Sequence, residues 1–165
     1  MANEKREPAV WPVQVLGLGN TLLGDDGVGW EVASMLEKQV DASQVCITWG
    51  GTGGDALLDL LQPCRCLVVV DALDSGAVPG SVHRLGLNEV QRMPIPRLQA
   101  SHGLDLGLVL QLHTTLYASD WPEAVCVFAI QVQEMTRFCE GCSAAVQAGA
   151  RQAVHEIQTY IAPWL

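Results

Sequence analysis

Residues 66–72, which read CLVVVDA, constrain the fold more than any other part of the sequence. Every position before Asp71 in this run is apolar, without the alternation of apolar and polar residues that a half-exposed strand shows. A continuous apolar run is typical of a strand buried on both faces, as in parallel sheets that carry helices on each side. The segment therefore predicts a central strand that ends in a carboxylate.

Strand and helix patterns alternate along the rest of the chain, as they do in α/β proteins. The predicted strands are residues 13–18, 45–49, 66–72, 81–85 and 124–132, and the predicted helices are 28–40, 56–62, 104–118 and 143–161. We therefore predict a single three-layer α/β domain over residues 13–165, with residues 1–12 as a flexible N-terminal tail. Its mostly parallel, twisted sheet should have about five strands, with helices on both faces.

The charge balance argues against nucleic-acid binding. The chain has 18 acidic and 9 basic residues and a net charge of -9, whereas a nucleic-acid backbone requires clustered lysines and arginines. Residues 1–12 lack the apolar core of a signal peptide, and no apolar run reaches ~18 residues, so neither export nor a membrane span is expected. Four cysteines in or beside predicted strands favour the reducing cytoplasm, because free thiols pack there as small apolar groups: Cys46, Cys64, Cys66 and Cys126.

A glycine-rich segment, GLGNTLLGDDGVG at residues 17–29, follows the first predicted strand. It is not a dinucleotide fingerprint, because the third glycine of G-x-G-x-x-G is replaced by Leu22, and it lacks the Gly-Lys-Ser/Thr of a phosphate loop. Asp25 and Asp26 remain as its chemically active groups. One of them is expected to cap the following helix, and the other to face a site at the carboxyl ends of the strands.

Asp26, Asp71 and His102 are the candidate site residues. If the first and third strands are neighbours, Asp26 and Asp71 face one crevice, and His102 joins them from the loop before the helix 104–118. Two carboxylates and an imidazole suit a first-row divalent metal ion. The residues alone therefore indicate a metal-dependent hydrolase or a metal-binding module. The other histidines lie within predicted helices or an edge strand, where solvated or packing roles are expected: His83, His113 and His155.

Four motifs together resemble the hydrogenase maturation protease family. They are the glycine-rich segment, the GGT of residues 50–52, the VVVDA strand end and the SHGLDL of residues 101–106, and the resemblance spans roughly residues 13–160. It implies an endopeptidase, of an aspartic or metal-assisted type, that removes the C-terminal extension of a nickel-loaded hydrogenase large-subunit precursor. It further implies that Asp26, Asp71 and His102 bind the metal. For the cleavage step, we hypothesise that Asp26 and Asp71 both orient the metal and help to activate water.

The same resemblance implies that the nickel arrives with the substrate rather than as a permanent cofactor, and that other divalent metals can occupy the site. We expect this protein to be a monomer whose partner is the precursor protein. Neither a nucleic acid nor a membrane is an expected partner. A non-catalytic nickel-binding assembly factor for the large subunit would use the same residues and stays open as the alternative. A peptidyl-tRNA hydrolase-like enzyme is disfavoured by the charge of -9 and by the Asp25-Asp26 pair.

The C-terminal third departs from the family pattern, because residues 130–146, from the end of the last predicted strand onward, read IQVQEMTRFCEGCSAAV. This departure leaves open which hydrogenase is the client. It also contains Cys139 and Cys142 as a single C-x-x-C, which is half of a zinc-ribbon ligand set, so we interpret it as a loop.

Overall fold

The computed structural model of the chain describes residues 10–54, 56–92, 106–118 and 121–165. The strands are β1 Trp11–Gly17, β2 Val45–Trp49, β3 Cys64–Leu73, β4 Val82–Gly86 and β5 Ala124–Gln131. The helices are α1 Val28–Glu37, α2 Leu57–Leu60, α3 Leu87–Val90, α4 Leu106–Leu116 and α5 Ala144–Ile161. Short 3-10 helices occupy Gly24–Gly27 and Ala162–Trp164. Within the part of the chain that is described, no helix is long and apolar enough to cross a membrane.

The five strands form one sheet in the order β2-β1-β3-β5-β4. β1 pairs in parallel with β2 and β3, and β3 pairs in parallel with β5, whereas β4 runs antiparallel to β5. This confirms the predicted mostly parallel α/β sheet. The first and third strands are neighbours, which was the condition for Asp26 and Asp71 to face one crevice. Because β2 lies on one side of β1 and β3 on the other, the strand order reverses between β1 and β3.

Helices cover both faces of β3. Cys66, Val68 and Val70 pack in a core with α1 and α5, whereas Leu67 and Val69 pack in a second core with α2 and α4. Successive side chains of a strand point to opposite faces, so a strand with a core on each side must be apolar at every position. The continuous apolar run of the sequence is explained by these two cores.

Several boundaries differ from the sequence-based prediction, and two of them change an assignment. β1 begins at Trp11, which pairs with Cys64 of β3, so that the last two residues of the predicted tail belong to the sheet. α1 ends at Glu37 rather than at residue 40, and the backbone N–H groups of Gln39 and Val40 close a turn on Leu36. The segments 1–9 and 93–105, which include the loop before the predicted helix 104–118 and the start of that helix, lie outside the described residues.

α3 was not predicted. Its first turn is stabilised by the side chain of Glu89, whose Oε2 accepts a hydrogen bond from the N–H of Gly86 at 2.8 Å. A helix of four residues is too short to give a helical period in the sequence. It extends the polypeptide beyond the antiparallel strand β4 and does not contribute to the carboxyl ends of the parallel strands.

The glycines of the glycine-rich segment allow α1 to pack directly on the sheet. A Cβ atom on Gly29 would collide with the carbonyl oxygens of Leu18 and Val70, and one on Gly17 would collide with the carbonyl oxygen of Gly29. The start of α1 therefore lies against the backbone at the ends of β1 and β3. Close helix-to-strand packing, rather than phosphate binding, explains glycine at these two positions.

Candidate active site

The candidate site lies where β1 ends beside β3, which continues for three more residues in pairing with β5. The chain that leaves β1 keeps its pairing with β3 for one more residue, because Leu18 N donates to Val70 O at 2.8 Å. Asp71 directly follows Val70, and the 3-10 helix that contains Asp26 directly precedes α1, which packs on the same backbone. Asp26 and Asp71 are 45 positions apart in the sequence, and the fold brings them together.

Asp26 is buried, with 3% of its surface exposed. Its Oδ2 accepts a hydrogen bond from Asn20 N at 2.7 Å. Burial raises the pKa of Asp26 above its ordinary value, and the N–H of Asn20 partly offsets this increase. The carboxyl group is therefore oriented by the backbone of the same glycine-rich segment and favours a neutralising partner such as a proton or a cation.

Asp71 is buried to a similar degree, with 2% exposed, and its Oδ1 accepts a hydrogen bond from Ala72 N at 2.8 Å. Burial raises the pKa of Asp71 well above its ordinary value, the Ala72 N–H lowers it, and the negative charge of Asp26 raises it further. The two carboxyl groups are thus close enough to interact. Within the described residues, Asp26 Oδ1 and Asp71 Oδ2 accept no hydrogen bond, so each carboxyl has an oxygen available for a ligand.

Asp25 does not cap the helix that follows it, so the expected helix-capping role is wrong. The N-cap residue of α1 is Gly27, and it has no side-chain capping bond. Asp25 Oδ1 instead accepts from Ser143 N at 2.6 Å, and its Oδ2 accepts from Gln133 N, Glu134 N and Ser143 Oγ at 3.0, 3.3 and 3.1 Å. Asp25 therefore connects the glycine-rich segment to the distant residues 133–143.

His102 lies outside the described residues, so its predicted place beside Asp26 and Asp71 stays a prediction. The other histidines have the structural or solvated positions expected of them. His83 in β4 lies 3.2 Å from Ser81 Oγ, His113 is buried in α4 against the rings of Tyr117 and Trp121, and His155 is exposed on α5. Among the residues with a described position, no group of three or more His, Cys, Asp or Glu side chains could hold a metal ion.

Sequence and structure comparisons identify the family. A family model described as hydrogenase maturation protease matches residues 30–160. The hydrogenase expression/formation protein HupD of Thiocapsa roseopersicina is 30% identical over 151 residues, which cover 91% of this chain and 67% of HupD. The hydrogenase expression/formation protein HoxM of Azotobacter vinelandii is 27% identical over 151 residues, which cover 91% of this chain and 72% of HoxM.

The chain belongs to the hydrogenase maturation protease family. The fold agrees, because the hydrogenase maturating endopeptidase HybD from E. coli superimposes with a TM-score of 0.74 at 25% identity, over 90% of this chain and 91% of that one. The NiFe hydrogenase maturation protease HybD from Thermococcus kodakarensis has the same fold, with a TM-score of 0.74 at 22% identity over 90% and 98% of the two chains. Family membership makes this protein a peptidase of hydrogenase maturation, as its motifs had indicated.

Two groups around the site of this maturation protease were not found from the sequence. Asn20 orients Asp26 through its backbone N–H, and its own Oδ1 accepts from Leu22 N at 3.0 Å in a local turn. A G-N pair after a strand could have suggested such a turn. The contact of Asp25 with Ser143 joins residues 118 apart, and no local pattern in the sequence signals it.

A groove of about 490 Å³ in this protease is lined in part by the glycine-rich segment, and Asp26 and Asp71 are not among its lining residues. It runs between α1 and residues 140–142, and Gly24 and Gly27 on its floor flank Asp25 and Asp26 in the sequence. Cys142 lines it, whereas Cys139 is exposed, and both thiols are free, as expected for a loop. A larger cavity of about 890 Å³ is lined by Arg65, Arg84 and aromatic residues of α5 and the C-terminus, and neither Asp26 nor Asp71 contributes to it.

Proposed function

We propose that this protease removes the C-terminal extension of a nickel-loaded hydrogenase large-subunit precursor, and that Asp26 and Asp71 recognise the nickel that the precursor carries. The observation that supports this most is the pair of buried, interacting carboxyl groups at the adjacent ends of β1 and β3. Burying two carboxyl groups together is costly unless a cation or a proton compensates their charge. A site that binds its metal only with the client accounts for such a pair.

The donor set fits a divalent metal ion that brings part of its own coordination. Each carboxyl group is held by one backbone N–H and has its second oxygen available, so Asp26 and Asp71 would supply one or two oxygen ligands each. The remaining ligands would be the thiolates of the client and His102. Asp71 lies on the face of β3 that α4 covers, and residues 101–105 lead directly into α4, which supports His102 as the third protein ligand.

For the cleavage step we propose that one of the two carboxylates accepts a proton from the attacking water. The raised pKa of Asp71 favours this role, because a general base is most effective when its pKa lies near the working pH. Asp26, which is oriented by the N–H of Asn20, would be the second carboxyl group beside the scissile bond. The nickel of the substrate would act as a Lewis acid toward the peptide carbonyl and as the mark that selects the loaded precursor.

We further propose that the protein works in the cytoplasm as a monomer that meets its client transiently. All six cysteines are free thiols, which supports a reducing compartment. We propose that the groove between α1 and residues 140–142, which Gly24 and Gly27 help to line, receives an extended segment of the client. Other divalent metals with similar ligand preferences could bind to the same carboxylates in the absence of nickel.

The test is intact-mass analysis of the co-expressed large-subunit precursor after incubation with this protease, with nickel-loaded and nickel-free precursor in parallel. We expect loss of a C-terminal peptide from the nickel-loaded sample alone. Cleavage of both samples would contradict nickel recognition. Stable binding without any loss of mass would contradict the peptidase proposal and favour the assembly-factor alternative. No separate observation in the described residues supports that alternative.

A further inference from the structure

Asp25 has a complete set of hydrogen-bond donors that does not involve the candidate catalytic site. It is 2% exposed, and its two oxygens accept four hydrogen bonds, from Gln133 N, Glu134 N, Ser143 N and Ser143 Oγ. A carboxylate with this many donors is fixed in direction as well as neutralised. Its side chain is therefore a rigid attachment point between two distant segments.

The backbone around Asp25 makes the same connection. Gly24 N donates to Cys139 O at 2.7 Å, Cys139 N donates to Leu22 O at 3.1 Å, and Asp25 N donates to Glu134 O at 3.3 Å. These bonds form an isolated parallel bridge between Leu23 and Cys139. Residues 22–25 are thus held by residues 133–143 from one side, just before the chain reaches Asp26.

The geometry of the 3-10 helix Gly24–Gly27 transmits this fixation to Asp26. A 3-10 helix has about three residues per turn, so consecutive side chains point about 120° apart. When the direction of the Asp25 side chain is fixed toward residues 133–143, the direction of Asp26 is fixed as well. Asp26 then lies with its Oδ2 on Asn20 N and with its other oxygen available.

We infer that Asp25 is a positioning residue for the peptidase reaction, which holds the Asp26 carboxylate in its working direction through the four hydrogen bonds to residues 133–143. The inference rests on the proposed role of Asp26. It predicts that loss of the Asp25 charge loosens the contact between Asp26 and Asn20 and slows the cleavage step, while the client still docks.

The test is Asp25→Asn, which keeps the size of the side chain but presents an NH2 group to at least one of its donors. The first readout is the exchange rate of the Asn20 amide proton, measured by NMR without client, because this proton is donated to Asp26 Oδ2. We expect exchange to become at least about tenfold faster. The second readout is cleavage of the nickel-loaded precursor, in which kcat should fall about 10- to 100-fold while KM changes less than about threefold.

Two controls separate positioning from general destabilisation. Asp41→Asn removes a carboxylate that also accepts hydrogen bonds from a serine N–H and hydroxyl, Ser43, at an exposed turn away from the site, and both readouts should stay unchanged. Val154→Ala lowers global stability from within α5, and it should not accelerate Asn20 exchange selectively. If Asp25→Asn abolishes folding, Ser143→Ala, which removes one bond of 3.1 Å, should show the same changes at about two- to fivefold.

Unchanged Asn20 exchange in Asp25→Asn, or an equal acceleration in Val154→Ala, would overturn the inference. Failure of the proposed function has a different signature. If the wild-type protein does not cut the nickel-loaded precursor but Asp25→Asn still accelerates Asn20 exchange selectively, Asp25 positions Asp26 and the peptidase proposal is wrong.

Discussion

Asp71 lies near the carboxyl end of β3, after five consecutive apolar residues, where a charged carboxylate costs folding free energy. Residues 66–70 before it have no polar side chain, and burial raises its pKa well above the ordinary value. Proteins tolerate such unfavourable groups mainly at functional sites. The position and burial of Asp71 therefore indicate selection for chemistry at the expense of stability.

Asp71→Asn is expected to stabilise the protein at pH 8 and much less at pH 4. Because the folded pKa of Asp71 lies above the ordinary 3.8, the folded wild type keeps a proton that the unfolded chain has lost, and stability falls as pH rises through that window. Asparagine avoids this penalty and still accepts from Ala72 N. We expect a gain of at least about 1 kcal/mol, or about 3 °C in melting temperature, at pH 8.

Thermal unfolding of Asp71→Asn and wild type at pH 4 and pH 8 measures this. Asp41→Asn serves as the matched control, because hydrogen bonds from Ser43 lower the pKa of Asp41 and its pH dependence has the opposite sign. The Asp41 carboxylate stabilises above its unfolded pKa and loses this effect as pH falls, so the control should lose stability mainly at pH 8. A gain for Asp71→Asn that is equal at both pH values would contradict the account.

Among the secondary-structure elements, α1 depends most on the glycine-rich segment. Its first turn rests on the backbone at the ends of β1 and β3, and a side chain on Gly29 would collide with two carbonyl oxygens there. Backbone atoms of a central sheet cannot move aside cheaply. The glycines at these close contacts, together with Asp26 and Asp71 themselves, therefore determine how the two carboxyl groups are placed.

Gly29→Ala is expected to lower the free energy of unfolding by about 2–4 kcal/mol, although alanine is the better helix former. Urea denaturation followed by circular dichroism measures the loss. Gly86→Ala is the matched control, because a Cβ there would meet only Glu89 Oε2 at an ordinary 3.6 Å, and it should cost less than about 1 kcal/mol. Equal effects of the two substitutions would show that α1 does not need the close approach.

The sequence predicts those elements whose pattern is local and misses what depends on distant contacts. The runs that became β3 and β5 have the apolar character of strands with both faces covered, so their existence and parallel pairing could be inferred. The start of β1 at Trp11 depends on pairing with Cys64, and the role of Asp25 depends on Ser143. Neither partner is marked by any residue nearby in the sequence.

At the scale of the whole molecule, strand order brings the loop that carries Asp26 to the same edge of the sheet as Asp71. β1 and β3 are parallel neighbours, so the loops after them emerge at the same edge of the sheet, where ligands bind in open α/β folds. This is why two of the three candidate site residues could be paired from the sequence. The third, His102, lies outside the described residues; α4, which follows it in the sequence, packs on the face of β3 to which Asp71 points.

The measurement that tests the central claim most directly is the initial rate at which nickel-loaded precursor loses its C-terminal extension with Asp26→Asn in place of the wild type, followed by intact mass. Asparagine can keep the bond from Asn20 N but lacks the negative charge, so the account predicts at least about 100-fold slower cleavage, with Asp41→Asn at the wild-type rate. An Asp26→Asn protein that cleaves within about twofold of the wild-type rate would contradict the assignment of the site.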